Sequence, residues 1–227
     1  MDTGLDDQRR GTPWSLWRTG GSVKGTSRAP GGAGPLISRV VDSPMGQLQL
    51  VAGPAGLRAV LWPRAECPRP RGHDDNAGGA GGEAGRLARA HLEASAQELA
   101  EYFAGTRREF DVALDPVGTQ FQLRAWQVLR TIPFAATISY GEQARALGDA
   151  NLARAVGGAN SRNPISIIVP CHRVVSGSGD LTGFAGGLEV KAWLLRHEQE
   201  VAAGSGAVIA WDRGHDSPAG LSVGPIS

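Results

Sequence analysis

The chain has 227 residues, 41% of them hydrophobic, which allows one large domain or two small ones with a packed core. Its net charge of +1, from 23 Lys and Arg against 22 Asp and Glu, excludes a histone-like or polybasic protein but allows a local basic face. No apolar run approaches the roughly 20 residues of a membrane span, and two cysteines cannot form a disulfide framework, so we expect a soluble, cytoplasmic protein.

Three stretches of the chain are predicted to lack regular structure. Residues 1–35 are rich in glycine without periodic apolar residues and are interpreted as a disordered extension. Residues 64–85 contain no Val, Ile, Leu, Met or aromatic residue and predict a flexible loop that holds Cys67. Residues 204–227 return to Gly, Pro and Ser and predict a loose tail.

The segment 36–115 predicts an amino-terminal α/β domain. Three short runs of alternating apolar and polar residues, separated by tight turns, predict an antiparallel meander. These runs are residues 36–41, 47–51 and 57–62. Apolar residues spaced three and four apart predict a helix over 86–103, and renewed alternation over 109–114 predicts a further strand.

The segment 116–203 predicts a mostly helical domain. The capping residues Thr119, Ser139 and Asn151, together with apolar spacing, predict four helices, and a short apolar run predicts one strand. The helices are expected at 119–130, 140–147, 151–159 and 188–200, and the strand at 165–169.

The second and third of these helices are short and joined by a glycine turn, which is a helix-turn-helix signature. In the third, Arg154 lies among the small residues Ala153, Ala155 and Gly157. Such a helix can approach a narrow groove of DNA while one arginine projects, although ordinary helix packing explains the same pattern. The predicted fold class is α+β: an amino-terminal antiparallel sheet with a helix, then a mostly helical helix-turn-helix DNA-binding domain.

Cys171 follows the apolar run and Pro170, so we expect its backbone to be held rigidly at the end of an element. Its neighbours His172 and Arg173 would favour a nucleophilic thiolate through charge or hydrogen bonding. Such a nucleophile needs a base, and the base needs an orienting acid, for which Glu198 on the last helix is the candidate. A buried structural cysteine is the alternative.

The sequence around Cys171 resembles the active-site motif of the 6-O-alkylguanine-DNA alkyltransferases, also called methylated-DNA–protein-cysteine methyltransferases. The motif reads IIVPCHRVV at 167–175. Further stretches match in the same order, and they are ISYG at 138–141, ARAVGGAN at 153–160, NP at 163–164, LTGFAGGL at 181–188 and KAWLL at 191–195. The match is dense over 116–200 and looser over 36–115, where the matching stretches are DSPMG at 42–46 and YFAG at 102–105.

The resemblance implies direct reversal of DNA damage. The alkyl group of 6-O-methylguanine in duplex DNA, with 4-O-methylthymine as a second candidate, would pass irreversibly to Cys171, once per protein molecule. The nucleotide would be flipped out of the stack, with Arg154 filling its place. Tyr140 would crowd the 3′ phosphate and donate to guanine N3. His172 would act as base through a water, oriented by Glu198.

The resemblance also assigns supporting roles around the guanine. Asn163 would bridge the helical turn and the active-site segment, and Arg173 would support the same region. The backbone of Val174 and the loop at Phe184 and Ala185 would line the guanine pocket. Several relatives carry Tyr-Ser at these last two positions, so their hydroxyls are missing and only the Ala185 N–H could serve guanine O6.

No cofactor is implied, because the alkylated base is itself the donor. No metal site is expected either, since Cys67 and His73 lack further ligating partners. The expected partner is double-stranded DNA that carries alkylated guanine. We expect the protein to bind this DNA as a monomer and to bind no membrane. Two alternatives are a non-catalytic alkylguanine-lesion-binding protein, in which Trp usually replaces the cysteine, and a cysteine hydrolase, for which adjacent Cys171 and His172 are unusual.

Overall fold

The computed structural model describes residues 34–62 and 82–204. The predicted extension, the 64–85 loop with Cys67 and the carboxy-terminal tail therefore lie almost entirely outside the described residues. The last four residues of the predicted loop are described, and they are helical, so the loop prediction is wrong at that end. Across the described ranges, no helix combines the length and apolar character needed to cross a membrane.

The elements confirm the predicted α+β class, because a three-stranded antiparallel sheet and one helix precede a helical half. The first half contains β1 (Ile37–Ser43), β2 (Gly46–Gly53), β3 (Gly56–Leu61) and α1 (Gly82–Phe103). The second half contains α2 (Gln120–Leu129), β4 (Ile138–Ser139), α3 (Tyr140–Ala146), α4 (Ala153–Asn160), β5 (Val174–Val175) and α5 (Leu188–Ala202). Short 3₁₀ turns occur at Ala150–Leu152 and Cys171–Arg173.

The sheet is a meander in the order β1-β2-β3, and α1 covers one of its faces. Side chains alternate across a strand, so Leu48 and Leu50 of β2 join the main core with Leu92 and Leu99 of α1. Val51 lies on the opposite face in a smaller apolar cluster. The main core continues into the helical half, so the two halves share one interior.

The edge strand β3 joins the sheet to the second half of the chain. The backbone N–H of Leu57 donates to the carbonyl of Ala113, and that of Val60 donates to the carbonyl of Pro164, both at 2.8 Å. Gly56 begins this strand at φ +147°, and a Cβ there would lie 2.5 Å from the Ala113 carbonyl oxygen, so only glycine fits. The segment leading to Cys171 is thereby fixed against the sheet.

The predicted strand at 109–114 is wrong. The backbone N–H groups of Asp111 and Val112 donate to Oε2 of Glu98, at 2.9 and 3.3 Å, rather than to a neighbouring strand. Leu114 makes an isolated parallel bridge with Leu57. Alternation marks any extended segment with one buried face, so the sequence could not reveal that a buried carboxylate satisfies this backbone.

The capping chemistry of the helical half is mostly as predicted. Thr119 and Ser139 cap α2 and α3, each in a capping box with the residue three positions later. The prediction that Asn151 caps the next helix is wrong. The Asp149 side chain instead accepts the Asn151 N–H at 2.8 Å, and a 3₁₀ turn precedes α4.

Buried side-chain amides fix the helix pair α3 and α4. Asn160 donates to Oε1 of Gln143 at 2.7 Å, and Gln143 donates back to Oδ1 of Asn160 at 3.2 Å. Gln143 also donates to the carbonyl of Ala125, and Trp126 of α2 donates to the carbonyl of Ala159 at 2.9 Å. Because these groups are buried and paired, α2 and α3 hold α4 in one orientation.

Candidate active site

Cys171 begins a 3₁₀ turn directly after Pro170, and its side chain is buried, with 6% exposed. The strand predicted at 165–169 is wrong, because the chain turns there and Val169 N–H donates to the Ile165 carbonyl at 2.9 Å. Ile167, at the middle of this turn, has φ +77°, a conformation that β-branched residues rarely adopt. Burial on all sides gives such a turn the same apolar composition as a buried strand.

Burial raises the pKa of the Cys171 thiol above its ordinary value. A hydrogen bond from Asn163, the charge of Lys191 and a hydrogen bond involving Ser166 lower it in part. The side chains of the adjacent His172 and Arg173 bind Glu198. Their support of the thiolate stays a prediction. Cys171 is therefore a protonated thiol at neutral pH and needs a base to react.

His172 and Glu198 are fully buried and joined, with His172 Nε2 2.9 Å from Oε1 of Glu198. Burial alone would raise the pKa of Glu198, but the charges and hydrogen bonds of His172 and Arg173 lower it to about 2. Burial lowers the pKa of His172, although Glu198 opposes this, so the imidazole is neutral at pH 7. We assign the proton to Nε2, which faces the carboxylate.

The other ring nitrogen of His172 is the atom available as a base. Nδ1 is buried and has no hydrogen-bonding partner among residues 34–62 and 82–204. With Nε2 protonated, Nδ1 presents its lone pair to this site. The neutral imidazole of His172 is therefore a base next to the nucleophile Cys171 in the chain, and the carboxylate of Glu198 holds this imidazole.

The carboxylate of Glu198 has further partners that the sequence did not indicate. Ala135 donates its backbone N–H to Oε2 at 2.9 Å and adopts φ +63° to do so. Tyr102 of α1 donates its hydroxyl to Oε1 at 2.9 Å. Arg173 binds Glu198 through Nε and Nη2, while its Nη1 donates to the Ile132 carbonyl at 2.7 Å. Arg173 thus supports the carboxylate, and it also lines a cavity beside Pro133 and Phe134.

Lys191 is a second group whose role the sequence did not indicate. It is fully buried in α5 and donates to the carbonyls of Val174 and Thr182, at 2.5 and 2.8 Å. Burial lowers its pKa to about 8. A lysine on a helix usually indicates a surface position, so its location could not be anticipated. Lys191 joins the strand after Cys171 to the glycine-rich loop before α5.

The predicted pocket residues lie around this centre. Asn163 donates to the Val169 carbonyl at 2.7 Å and so ties the end of the helix pair to the active-site turn. Phe184 is half-buried, with its ring edge-on to His172 and to Trp62, at centroid distances of 6.3 and 5.6 Å. Ala185 is exposed beside it. Across the described ranges, no three His, Cys, Asp or Glu side chains cluster as metal ligands would.

The helix-turn-helix meets the active site through a short parallel ladder. Ile138 pairs with Val174, which places Tyr140 next to the chain that follows Cys171. The Tyr140 hydroxyl lies 3.4 Å from the carbonyl oxygen of Thr182.

The exposed face of α4 carries one arginine and small residues. Arg154 and Ala155 are exposed, and Ala153 and Gly157 are half-buried. A Cβ at Gly157 would lie 3.8 Å from the Tyr140 ring, so the tyrosine packs across this small residue. A backbone of this kind can approach another surface closely, with Arg154 projecting from it.

Comparison with known proteins identifies relatives of both halves. Residues 36–116 match the ribonuclease-like domain, and residues 120–200 the DNA-binding domain, of 6-O-methylguanine DNA methyltransferase. The methylated-DNA–protein-cysteine methyltransferase of Mycobacterium tuberculosis H37Rv is 43% identical over 164 residues, 72% of this chain and 93% of that protein. The Mycobacterium leprae protein of the same name is 57% identical over 102 residues, 45% of this chain and 62% of the relative.

A solved structure gives the same relationship. Mycobacterium tuberculosis OGT in complex with DNA superimposes with a TM-score of 0.62 and 40% sequence identity, covering 73% of this chain and 94% of that one. The likeness extends over both halves of the chain.

Proposed function

The chain belongs to the methylated-DNA–protein-cysteine methyltransferase family, and we propose on this premise that it repairs DNA by taking the methyl group of 6-O-methylguanine onto Cys171. One observation carries the proposal. The nucleophile precedes a buried neutral imidazole whose Nε2 is held by ionised Glu198 and whose Nδ1 has no protein partner in the described ranges. Nucleophilic catalysis by a protonated thiol requires such a base.

The proposed step is a single in-line displacement. Sγ of Cys171 forms a bond to the methyl carbon as the bond from that carbon to guanine O6 breaks, and the electron pair of that bond passes to the guanine. The guanine anion then takes up a proton from water at N1. The thiol proton passes through a water to Nδ1 of His172, where Glu198 stabilises the imidazolium. Tyr140 donates a hydrogen bond to guanine N3 as the base gains charge. The thioether is stable, so each protein molecule reacts once, as a monomer.

Access to the methyl group requires that the nucleotide leaves the stack. We propose that Arg154, exposed on α4, fills the vacated position while the small residues around it allow the helix into the groove. The half-buried Phe184 beside His172 then packs on the flipped base. 4-O-methylthymine presents the same O-alkylated carbon beside a ring nitrogen and is proposed as a second substrate. The cysteine itself argues against a non-catalytic lesion-binding protein.

The DNA product tests the proposal. A duplex carrying one 6-O-methylguanine is mixed with increasing protein, and its nucleosides are separated and quantified. We expect guanine to be regained in a one-to-one ratio with protein and then to stop. Continued conversion beyond that ratio, or 6-O-methylguanine that persists with excess folded protein, would contradict the proposal.

Arg154→Ala is expected to slow repair of duplex DNA by roughly ten- to a thousandfold, because it removes compensation for an unstacking cost of a few kcal/mol. The same variant should react nearly normally with free 6-O-benzylguanine, which needs no flipping. The measurement is the ratio of the two rates, relative to the unmodified protein. Arg162, exposed just beyond α4 and bound to the Gly158 carbonyl at 2.8 Å, supplies the control variant Arg162→Ala. An unchanged ratio for Arg154→Ala would show that this arginine does not replace the base.

A further inference from the structure

A tyrosine from the amino-terminal half reaches the centre of the active site. Tyr102 lies in the last turn of α1, is fully buried and donates its hydroxyl to Oε1 of Glu198 at 2.9 Å. The same oxygen lies 2.9 Å from Nε2 of His172. The phenol and the imidazole therefore share one carboxylate oxygen, although their residues are far apart in the sequence.

The direction of this hydroxyl is fixed by its surroundings. The Tyr102 ring packs among four other rings, which are those of Phe103, Phe110, Phe134 and His197. Its backbone carbonyl also lies 2.8 Å from Nε2 of His197. The ring packing and the contact at the backbone carbonyl hold the phenol oxygen beside Glu198.

The hydroxyl acts on Glu198 as a permanent donor. Burial, followed by the charge of Glu198, raises the pKa of Tyr102 well above its ordinary value, so the phenol keeps its proton at neutral pH. A donor to Oε1 restrains rotation of the carboxylate and withdraws charge from the oxygen that holds His172. Both effects act on the orientation and basicity of the imidazole.

We propose that Tyr102 is a positioning residue for alkyl transfer, which holds Glu198 and, through it, the ring of His172. The amino-terminal helix α1 would thereby contribute directly to the chemistry of the helical half. This inference rests on the proposed function, because it assigns Tyr102 a role in that same reaction. The role differs from that of a catalytic residue, since Tyr102 touches neither the thiol nor the flipped base in this account.

Tyr102→Phe isolates the hydroxyl, because the ring and its aromatic contacts are retained. The other titratable or charged groups that face Tyr102 and His172 stay in place in this variant. They are Arg173, in the same 3₁₀ turn as His172, and Lys191 and His197 of α5. With one donor fewer, Glu198 attracts the proton on His172 more strongly. The pKa of His172 should therefore rise in the variant.

The measurement is the rate of reaction with free 6-O-benzylguanine as a function of pH. In Tyr102→Phe we expect the rate at pH 7.5 to fall roughly three- to tenfold through lost orientation. We expect the acid limb of the profile to move to higher pH by about half a unit. Affinity for duplex DNA should not change. Ser95→Ala is the matched control, because Ser95 is a buried hydroxyl of the same helix that donates instead to the His91 carbonyl at 2.6 Å.

The outcomes separate positioning from stability. An unchanged rate and profile in Tyr102→Phe would overturn the inference, and so would a slower rate whose profile does not move, since lost packing alone gives that result. A second readout does not depend on the proposed function: the pH dependence of Cys171 carboxamidomethylation by iodoacetamide, in a Cys67→Ser background. Tyr102→Phe should slow that reaction at pH 7.5, and an equal rate would overturn the inference even if no alkylguanine reacts with either protein.

Discussion

Cys171→Ala is expected to lose methyl transfer completely, with no rate above the uncatalysed background, while still binding methylated duplex DNA. The loss follows because the methyl group has no acceptor once Sγ is removed. Binding should survive because it depends on Arg154, the small residues of α4 and phosphate contacts, none of which involves the thiol. The checks are guanine restoration at excess protein and the retardation of labelled duplex DNA at low salt.

The matched control for this variant is Cys67→Ala. Cys67 lies outside the described residues and in a segment whose composition predicts a loop, so its loss should leave transfer unchanged. Methyl transfer by Cys171→Ala would refute the assigned acceptor. A folded Cys171→Ala that fails to bind DNA at low salt would show that binding and chemistry are not separable.

His172→Gln is expected to slow methyl transfer by roughly 10²- to 10³-fold at pH 7, because glutamine cannot accept the thiol proton. The shape of the pH profile should change as well. Burial raises the pKa of Cys171 and lowers that of His172, so the unmodified protein should have a nearly flat rate from about pH 7 to 8 and a decrease below the pKa of His172. In the variant only spontaneously formed thiolate reacts, and the rate should rise about tenfold per pH unit.

His91→Gln is the control for this substitution. His91 lies on α1, half-buried, with Nε2 3.3 Å from the carbonyl oxygen of Pro54, and it has no role in the proposed transfer. Its replacement should leave both the rate and the profile as they are. A flat profile in His172→Gln would mean that another group takes the thiol proton.

Features that depend on residues close together in the chain were predictable from the sequence. The family could also be identified from the sequence. Thr119 and Ser139 cap their helices as expected, because a cap depends on residues only three positions apart. The Cys-His-Arg tripeptide was identified as the centre of the site for the same reason, since its members are adjacent. The matches to the family's two domains confirm the resemblance.

Contacts between distant parts of the chain were not predictable. The Glu98 carboxylate accepts the backbone N–H groups of residues 111 and 112. This segment is therefore extended without the strand pairing that its alternating pattern predicted. Tyr102 meets Glu198 only because α1 packs against α5, and nothing in the spacing of α1 distinguishes it from a core aromatic. The burial of Lys191 could not be predicted, because lysines on helices are usually exposed. Its ammonium group instead donates to two backbone carbonyls in the interior.

The most direct test of the central claim is the mass of the protein after incubation with duplex DNA that carries 6-O-methylguanine. Intact mass should show a single gain of about 14 Da per molecule, and peptide mapping should place it on the peptide that contains Cys171. The extent of labelling should equal the amount of guanine restored in the DNA. A gain on the Cys67 peptide, or restored guanine without any gain in protein mass, would contradict the account.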